Sequence, residues 1–121
     1  MSVLKNSYRK NKYNAVKVVI DGTKYDSRKE ARRGEELKTL EKAGCISSLR
    51  FQVRFVLQES FKRDGKTIRA IEYVADAVYI EDGKTIVEDT KSPATAAKDS
   101  YRIKKKLFLY KYPEYTFREN I

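Results

Sequence analysis

The sequence has no histidine. That absence excludes imidazole general bases, Ser-His-Asp triads, imidazole zinc sites and the histidine-dependent nuclease motifs. Cysteine is almost missing too, and Cys45 alone can build neither an internal disulfide nor a structural zinc site. No apolar run reaches the length of a signal-peptide core or a membrane span, so the expectation is a cytoplasmic chain without membrane contact. Acid is scarce relative to base. Seventeen Asp and Glu stand against 27 Lys and Arg, a net charge of +10, which points to a polyanionic partner. Catalysis in such a chain must rest on carboxylates, lysines, tyrosines or a hard metal held by oxygens.

At 121 residues the chain has the size of one domain. Residues 1–14, MSVLKNSYRKNKYN, hold Lys5, Arg9, Lys10 and Lys12 and no acid. They read as a basic flexible arm with interleaved tyrosines, either a nucleic-acid contact or a solvated tail. The domain proper is then 15–121. It opens with a hairpin around Asp21-Gly22 and continues into a helix capped by Asp26 or Ser27, with Ala31, Leu37, Leu40 and Ala43 as its apolar stripe.

In LRFQVRFVLQ, alternation predicts Leu49, Phe51, Val53, Phe55 and Leu57 on one face and Arg50, Gln52, Arg54 and Gln58 on the other. Asp64-Gly65 turns the chain into TIRAIEYVADAVYI, read as one long central strand, and Asp82-Gly83 starts a further hairpin with TIVED. After the break at Pro93, an amphipathic helix over about 97–111 is expected to bury Ile103, Leu107, Phe108 and Tyr110. EYTFRE closes the order as a short strand.

IVEDTKSPAT, residues 86–95, places charge where a strand ordinarily packs. Alternation gives Val87, Asp89 and Lys91 one face and Glu88 the other, which makes Glu88 a solvent-side neighbour rather than a ligand. Asp76 is read onto an apolar row with Val74, Val78 and Ile80, where a lone carboxylate costs several kcal/mol or shifts its pKa. The register of a two-residue Asp82-Gly83 hairpin sets Asp76 across from Asp89. Two facing carboxylates and a lysine two residues on suit a divalent cation and a steered water or phosphate. Other acid-x-Lys triplets in the chain lie in turns or in the helix.

Asp76 followed by Asp89-Thr90-Lys91 across a hairpin, with a helix before and a helix and strand after, resembles the PD-(D/E)xK nuclease superfamily. The stretches YDSRKEARRGEEL, FQVRFVL, YVADAVYI, VEDTK and YRIKKKLF, with a YPEY end, are similar to a family of small phage and prophage proteins assigned to that superfamily. One position departs from the pattern: Ala75 stands where a proline often precedes the first aspartate. The resemblance implies a single-domain α/β fold with a restriction-endonuclease-like αβββαβ core, a mixed central sheet flanked by helices, and relatives that include Holliday-junction resolvases. It implies Mg2+, with Mn2+ as substitute, held by Asp76, Asp89 and the Thr90 carbonyl. Lys91 orients the attacking water. Glu30 matches the acid that many members present from the first helix, where it binds metal directly or through water, although Ser27-x-x-Glu30 is also a capping box.

For DNA contact the expected residues are Lys98, Arg102, Lys104 and Lys106 on the last helix, with Lys104 nearest the scissile phosphate. Tyr101 either stacks on a base or packs, Gln52 either approaches the site or is only surface, and Lys10 and Lys12 come from the arm. The function expected is a metal-dependent endonuclease on branched or recombining DNA in phage replication, in the cytoplasm of a bacterial host. It would need no small-molecule cofactor, and a homodimer is compatible with it. The alternative is a non-catalytic nucleic-acid-binding or nuclease-accessory protein on the same fold.

Overall fold

The computed structural model describes residues 8–10 and 16–121, with side chains from residue 17 onward. Within the expected arm, Tyr8–Lys10 forms a strand, β1, rather than a free tail. It lies against β2 (Val16–Ile20), which pairs in turn with β3 (Thr23–Tyr25). Asp21 and Gly22 join β2 and β3 with φ of 47° and 81°, the two positive values a tight twisted hairpin needs. Helix α1 (Arg28–Lys42) follows, capped by Ser27, whose hydroxyl accepts from the Glu30 amide at 3.0 Å. Gly34 is required there, because a Cβ would stand 2.3 Å from the Tyr25 ring. Val18, Tyr25 and Ala31 form a small core at this junction.

The central sheet is mixed and runs β4-β7-β8-β9, from β4 (Ser47–Gln58), β7 (Ile71–Glu81), β8 (Lys84–Thr90) and β9 (Thr116–Asn120). The first three are antiparallel neighbours, and β9 returns parallel to β8. Parallel return requires a crossover, supplied by α2 (Pro93–Ala96) and α3 (Asp99–Lys111). Pro93 begins α2 at a position where its missing N–H costs nothing, with Ser92 as cap, so the expected loop holds a helical turn. The long strand predicted from Thr67 is shorter. Residues Phe61–Arg63 (β5) and Lys66–Ile68 (β6) form a separate two-stranded ribbon, and β7 starts at Ile71.

Both long strands turn over in mid-course. Ala77, Tyr79 and Ile86 pack with Leu37 of α1, whereas Tyr73, Ala75, Val78 and Val87 pack with Tyr101 and Phe108 of α3. Ala75 and Ala77 are two apart and in a regular strand would share a face. In β4 the same happens: Phe51 packs on the α1 side and Val53 on the α3 side. Phe51 pairs with Ala77 and Val53 with Ala75, so the inversion falls on one rung, Gln52 opposite Asp76. Gln52 has φ of 53°, a left-handed conformation inside a strand. The single-face readings for β4 and for Asp76 with Val74, Val78 and Ile80 are therefore corrected, since alternation holds only up to this rung from either end.

The buried face of α3 is also different from the predicted one. Tyr101 and Phe108 are buried, while Ile103, Leu107 and Tyr110 are exposed. Phe108 sits among Phe55, Tyr73, Tyr112 and Phe117 with ring centroids 5.0–5.8 Å apart. Large offset and edge-on ring contacts outcompete the aliphatic stripe for this interior. Among the described residues no helix is long and apolar enough to cross a membrane.

Candidate active site

The β7–β8 hairpin keeps the register set by its Asp82-Gly83 turn through Val78↔Val87 to Ala77↔Glu88. One rung further along the two strands come Asp76 and Asp89, with the Asp89 carboxyl close enough to act on that of Asp76. Asp76 Oδ2 accepts from the Thr90 amide at 2.8 Å, a side chain standing in for the ladder. Asp89 is wholly buried. It accepts from the Tyr73 hydroxyl at 2.6 Å and from Lys91 Nζ at 2.7 Å. Lys91 also lies 5.4 Å from the centre of the Tyr101 ring.

Glu30 enters from the first turn of α1. Ser27 does cap that helix, yet the Glu30 carboxylate is buried and accepts from Gln52 Nε2 at 3.2 Å. Gln52 is thus at the site, aimed there by its left-handed backbone. Lys29, which the sequence reading missed, donates to the Lys91 carbonyl at 3.1 Å and ties α1 to the loop after β8. An open cleft of about 690 Å3 reaches Glu30, Thr90 and Lys91, with Lys17, Asp26 and Thr95 also in its lining.

The electrostatics record an excess of negative charge. Burial, and then Asp89, push Asp76 well above the ordinary carboxylate range. Glu30 rises to about 7 through burial and the nearby Asp26, with Lys91 acting against the rise. Lys91 is held above its ordinary value by Asp76 and Asp89 despite its own burial. Burial of the Tyr73 phenol beside Asp89 keeps it protonated, as a donor to that carboxylate.

Immediately beside this cluster, on the opposite face, Glu88 is buried rather than solvent-side, which corrects that expectation. Arg33 grips it with Nε at 2.7 Å and Nη2 at 3.0 Å, Tyr79 donates at 2.6 Å and Asn120 at 3.0 Å. Arg33 holds the Glu88 carboxyl below its usual range, although burial acts against it. The signal for Arg33 was available in its position three residues after Glu30, on the same helical face.

Tyr101 packs. It is buried, and its hydroxyl bonds Glu119, so it supports Lys91 rather than offering a ring to a base. Lys105, not Lys104, reaches back to the sheet, donating to Glu119 at 2.8 Å. Lys98, Arg102, Lys104 and Lys106 are exposed on α3 or at its start. Lys104 stands one turn from both Tyr101 and Phe108, which are the buried residues of that helix. Lys12 lies outside the described residues, and of Lys10 only the backbone is described.

The family model described as "Protein of unknown function (DUF1064)" matches residues 10–119. The chain belongs to that family. Nothing among curated proteins matches it, and no solved structure does. The matched stretch spans every residue of the family member's carboxylate-lysine cluster, from Glu30 to Lys91.

Whether the cluster suits a metal turns on its donors. Among the described residues no three carboxylates converge closely enough to hold an ion by themselves. Magnesium, however, is bound by one or two carboxylates and keeps several waters, and Asp76 with Asp89 is such a hard-oxygen pair with negative charge to spare. The donor set fits a small divalent cation on those terms.

Proposed function

We propose that this protein is a metal-dependent endodeoxyribonuclease of the PD-(D/E)xK type. It would hydrolyse phosphodiester bonds in branched or recombining DNA in the bacterial cytoplasm. The observation that carries the reading is the meeting of Asp76, Asp89 and Lys91 at one end of the β7–β8 hairpin, with Glu30 delivered by α1. The order α1, β4, β7, β8, α3, β9 supports it, because it repeats the αβββαβ sequence of elements of that superfamily.

In this reading Asp76, Asp89 and the Thr90 carbonyl would hold Mg2+ or Mn2+, with Glu30 as a further ligand, directly or through water. The bound ion supplies Lewis-acid stabilisation of charge on the phosphate. Lys91 leaves Asp89 to orient the attacking water and stabilise the five-coordinate phosphate. Tyr73 keeps Asp89 fixed while that exchange occurs. The Tyr101 ring, 5.4 Å from Lys91 Nζ, limits where that lysine can swing.

The test is incubation of plasmid and synthetic four-way junctions with Mg2+, with Mn2+ and with EDTA. Cleavage should require the metal. Lys91→Ala should lower it by on the order of 10^3-fold or more while leaving most DNA affinity, since one lysine among 27 bases adds little to nonspecific binding. Metal-independent binding without cleavage by the unmodified protein would leave only a nucleic-acid-binding role.

A further inference from the structure

The ribbon β5–β6 lies outside every core of the molecule. All six of its strand residues are exposed, and it joins no other sheet. An isolated two-stranded hairpin is marginal in water, so such an element calls for a reason to exist. Its alignment supplies one. After a bulge between Val56 and Gln58, the pairing Gln58↔Ile71 continues in the same register through Phe61↔Ile68 to Arg63↔Lys66. The ribbon is therefore the outer end of the β4–β7 hairpin, and β8, which stops at Thr90, leaves that end of the sheet uncovered beyond the active-site rung.

Distance follows from the strand rise. From Asp76 to the ribbon is eight to ten residues of β-structure, or about 25–35 Å along the arm. That is about one helical turn of B-DNA. Charge follows from the sequence. Lys62, Arg63, Lys66 and Arg69 stand against a single acid, Asp64, and among the described residues none of the four side chains takes part in a hydrogen bond or ion pair. Asp64 (φ 53°) and Gly65 (φ 77°) close the tip in the twisted turn that keeps a ribbon narrow. A two-stranded ribbon is one of the two elements a major groove admits.

We propose that β5–β6 is a second DNA-binding element that enters the groove of a duplex about one turn away from the scissile phosphate. Lys62, Arg63, Lys66 and Arg69 contact the flanking phosphates, and the substrate is consequently a duplex arm of at least that length. The inference rests on the nuclease reading for the location of the scissile phosphate, but the contact itself is a binding property.

The experiment separates the two. In a Lys91→Ala background, which does not cut, the affinity for a duplex of about 30 base pairs and for one of about 8 is titrated by fluorescence anisotropy at several salt concentrations. Combined K62A, R63A, K66A and R69A should weaken binding of the long duplex at least about tenfold and flatten its log-affinity against log-salt slope by roughly two to four units. Binding of the short duplex should change little. Asp64→Asn keeps a residue suited to positive φ and removes the acid at the tip, so it should strengthen long-duplex binding about twofold. Because every substituted residue is exposed, circular dichroism and melting temperature should match the parent. An unchanged long-duplex affinity and slope would overturn the proposal, as would an equal loss on both duplexes or on single strands, which would indicate diffuse charge or a protein partner. The Lys91-intact protein is assayed for Mg2+-dependent cleavage alongside. Loss confined to the long duplex with no cleavage by the Lys91-intact protein would keep the ribbon and remove the nuclease reading, and cleavage by it with no response to the ribbon would do the reverse.

Discussion

Glu88 and Asp89 are consecutive, both buried, and point to opposite faces of the same strand, yet their surroundings differ in kind. Glu88 has a bidentate arginine, a tyrosine and an asparagine, and its carboxyl is driven below the usual range. Asp89 shares one lysine with Asp76 and Glu30, both of which are driven above it. The first arrangement balances charge and holds α1 to the sheet. The second leaves charge unbalanced, and carboxylates perturbed in this way concentrate at functional sites.

The contrast can be broken most severely from the balanced side. Arg33→Ala leaves Glu88 as a buried charge without its main partner, and the expected cost is about 3–5 kcal/mol, read as a fall in the urea midpoint at unchanged slope. On the unbalanced side the sign reverses. Asp76→Asn keeps an oxygen for the Thr90 amide and removes a like charge beside Asp89, so the metal-free protein should gain about 1–2 kcal/mol, or roughly 5–10 °C in Tm, while cleavage disappears. A variant that melts lower than its parent would place Asp76 among the structural groups instead.

A gentler way to sharpen the comparison is pH. Glu30 titrates at about 7 in the folded protein against 4.5 for the ordinary group, and Asp76 is raised in the same direction. Between those values the folded state binds more protons than the unfolded one, so stability falls as pH rises. The depressed carboxyls Glu35, Glu88 and Glu119 contribute stability that is present above their unfolded values and lost in more acidic solution. Melting in EDTA should therefore show highest stability near pH 5 and a decline towards pH 8, and Asp76→Asn should flatten that decline. The smallest effects belong to α3. Lys104→Ala should reduce turnover more than affinity, whereas Lys106→Ala, one turn from Arg102 and Leu109, should weaken every DNA alike and reduce the salt slope by roughly one unit. Single-turnover cleavage beside anisotropy distinguishes the two.

The turns and the strand register were legible in the sequence because Asp-Gly pairs specify both central dihedrals of a hairpin, and that register alone brought Asp76 to Asp89. What was hidden has a common cause. Gln52 carries no glycine or asparagine signature for its left-handed backbone, so alternation was carried through a rung where it inverts. The same inversion turns Tyr73 towards Asp89, a contact that simple parity assigns to the other face. On α3, hydropathy favoured Ile103 and Leu107 over Tyr101, but a tyrosine whose hydroxyl finds Glu119 buries more ring at no polar cost. Glu88 was hidden because its partner lies 55 residues away on another element.

The rung where Gln58 pairs with Ile71 also divides the molecule into parts that can vary independently. Toward Asp82 the hairpin is committed to two helices and two cores; from Gln58 and Ile71 outward it is free of both. Adding or removing two residues in each strand of the outer arm preserves which side every other residue faces. Arm length is thus a quantity that insertion and deletion can tune in steps of about 7 Å without moving the carboxylates. Shortening either strand by one residue instead reverses the faces all the way to the tip, and the protein tolerates changes there by pairs.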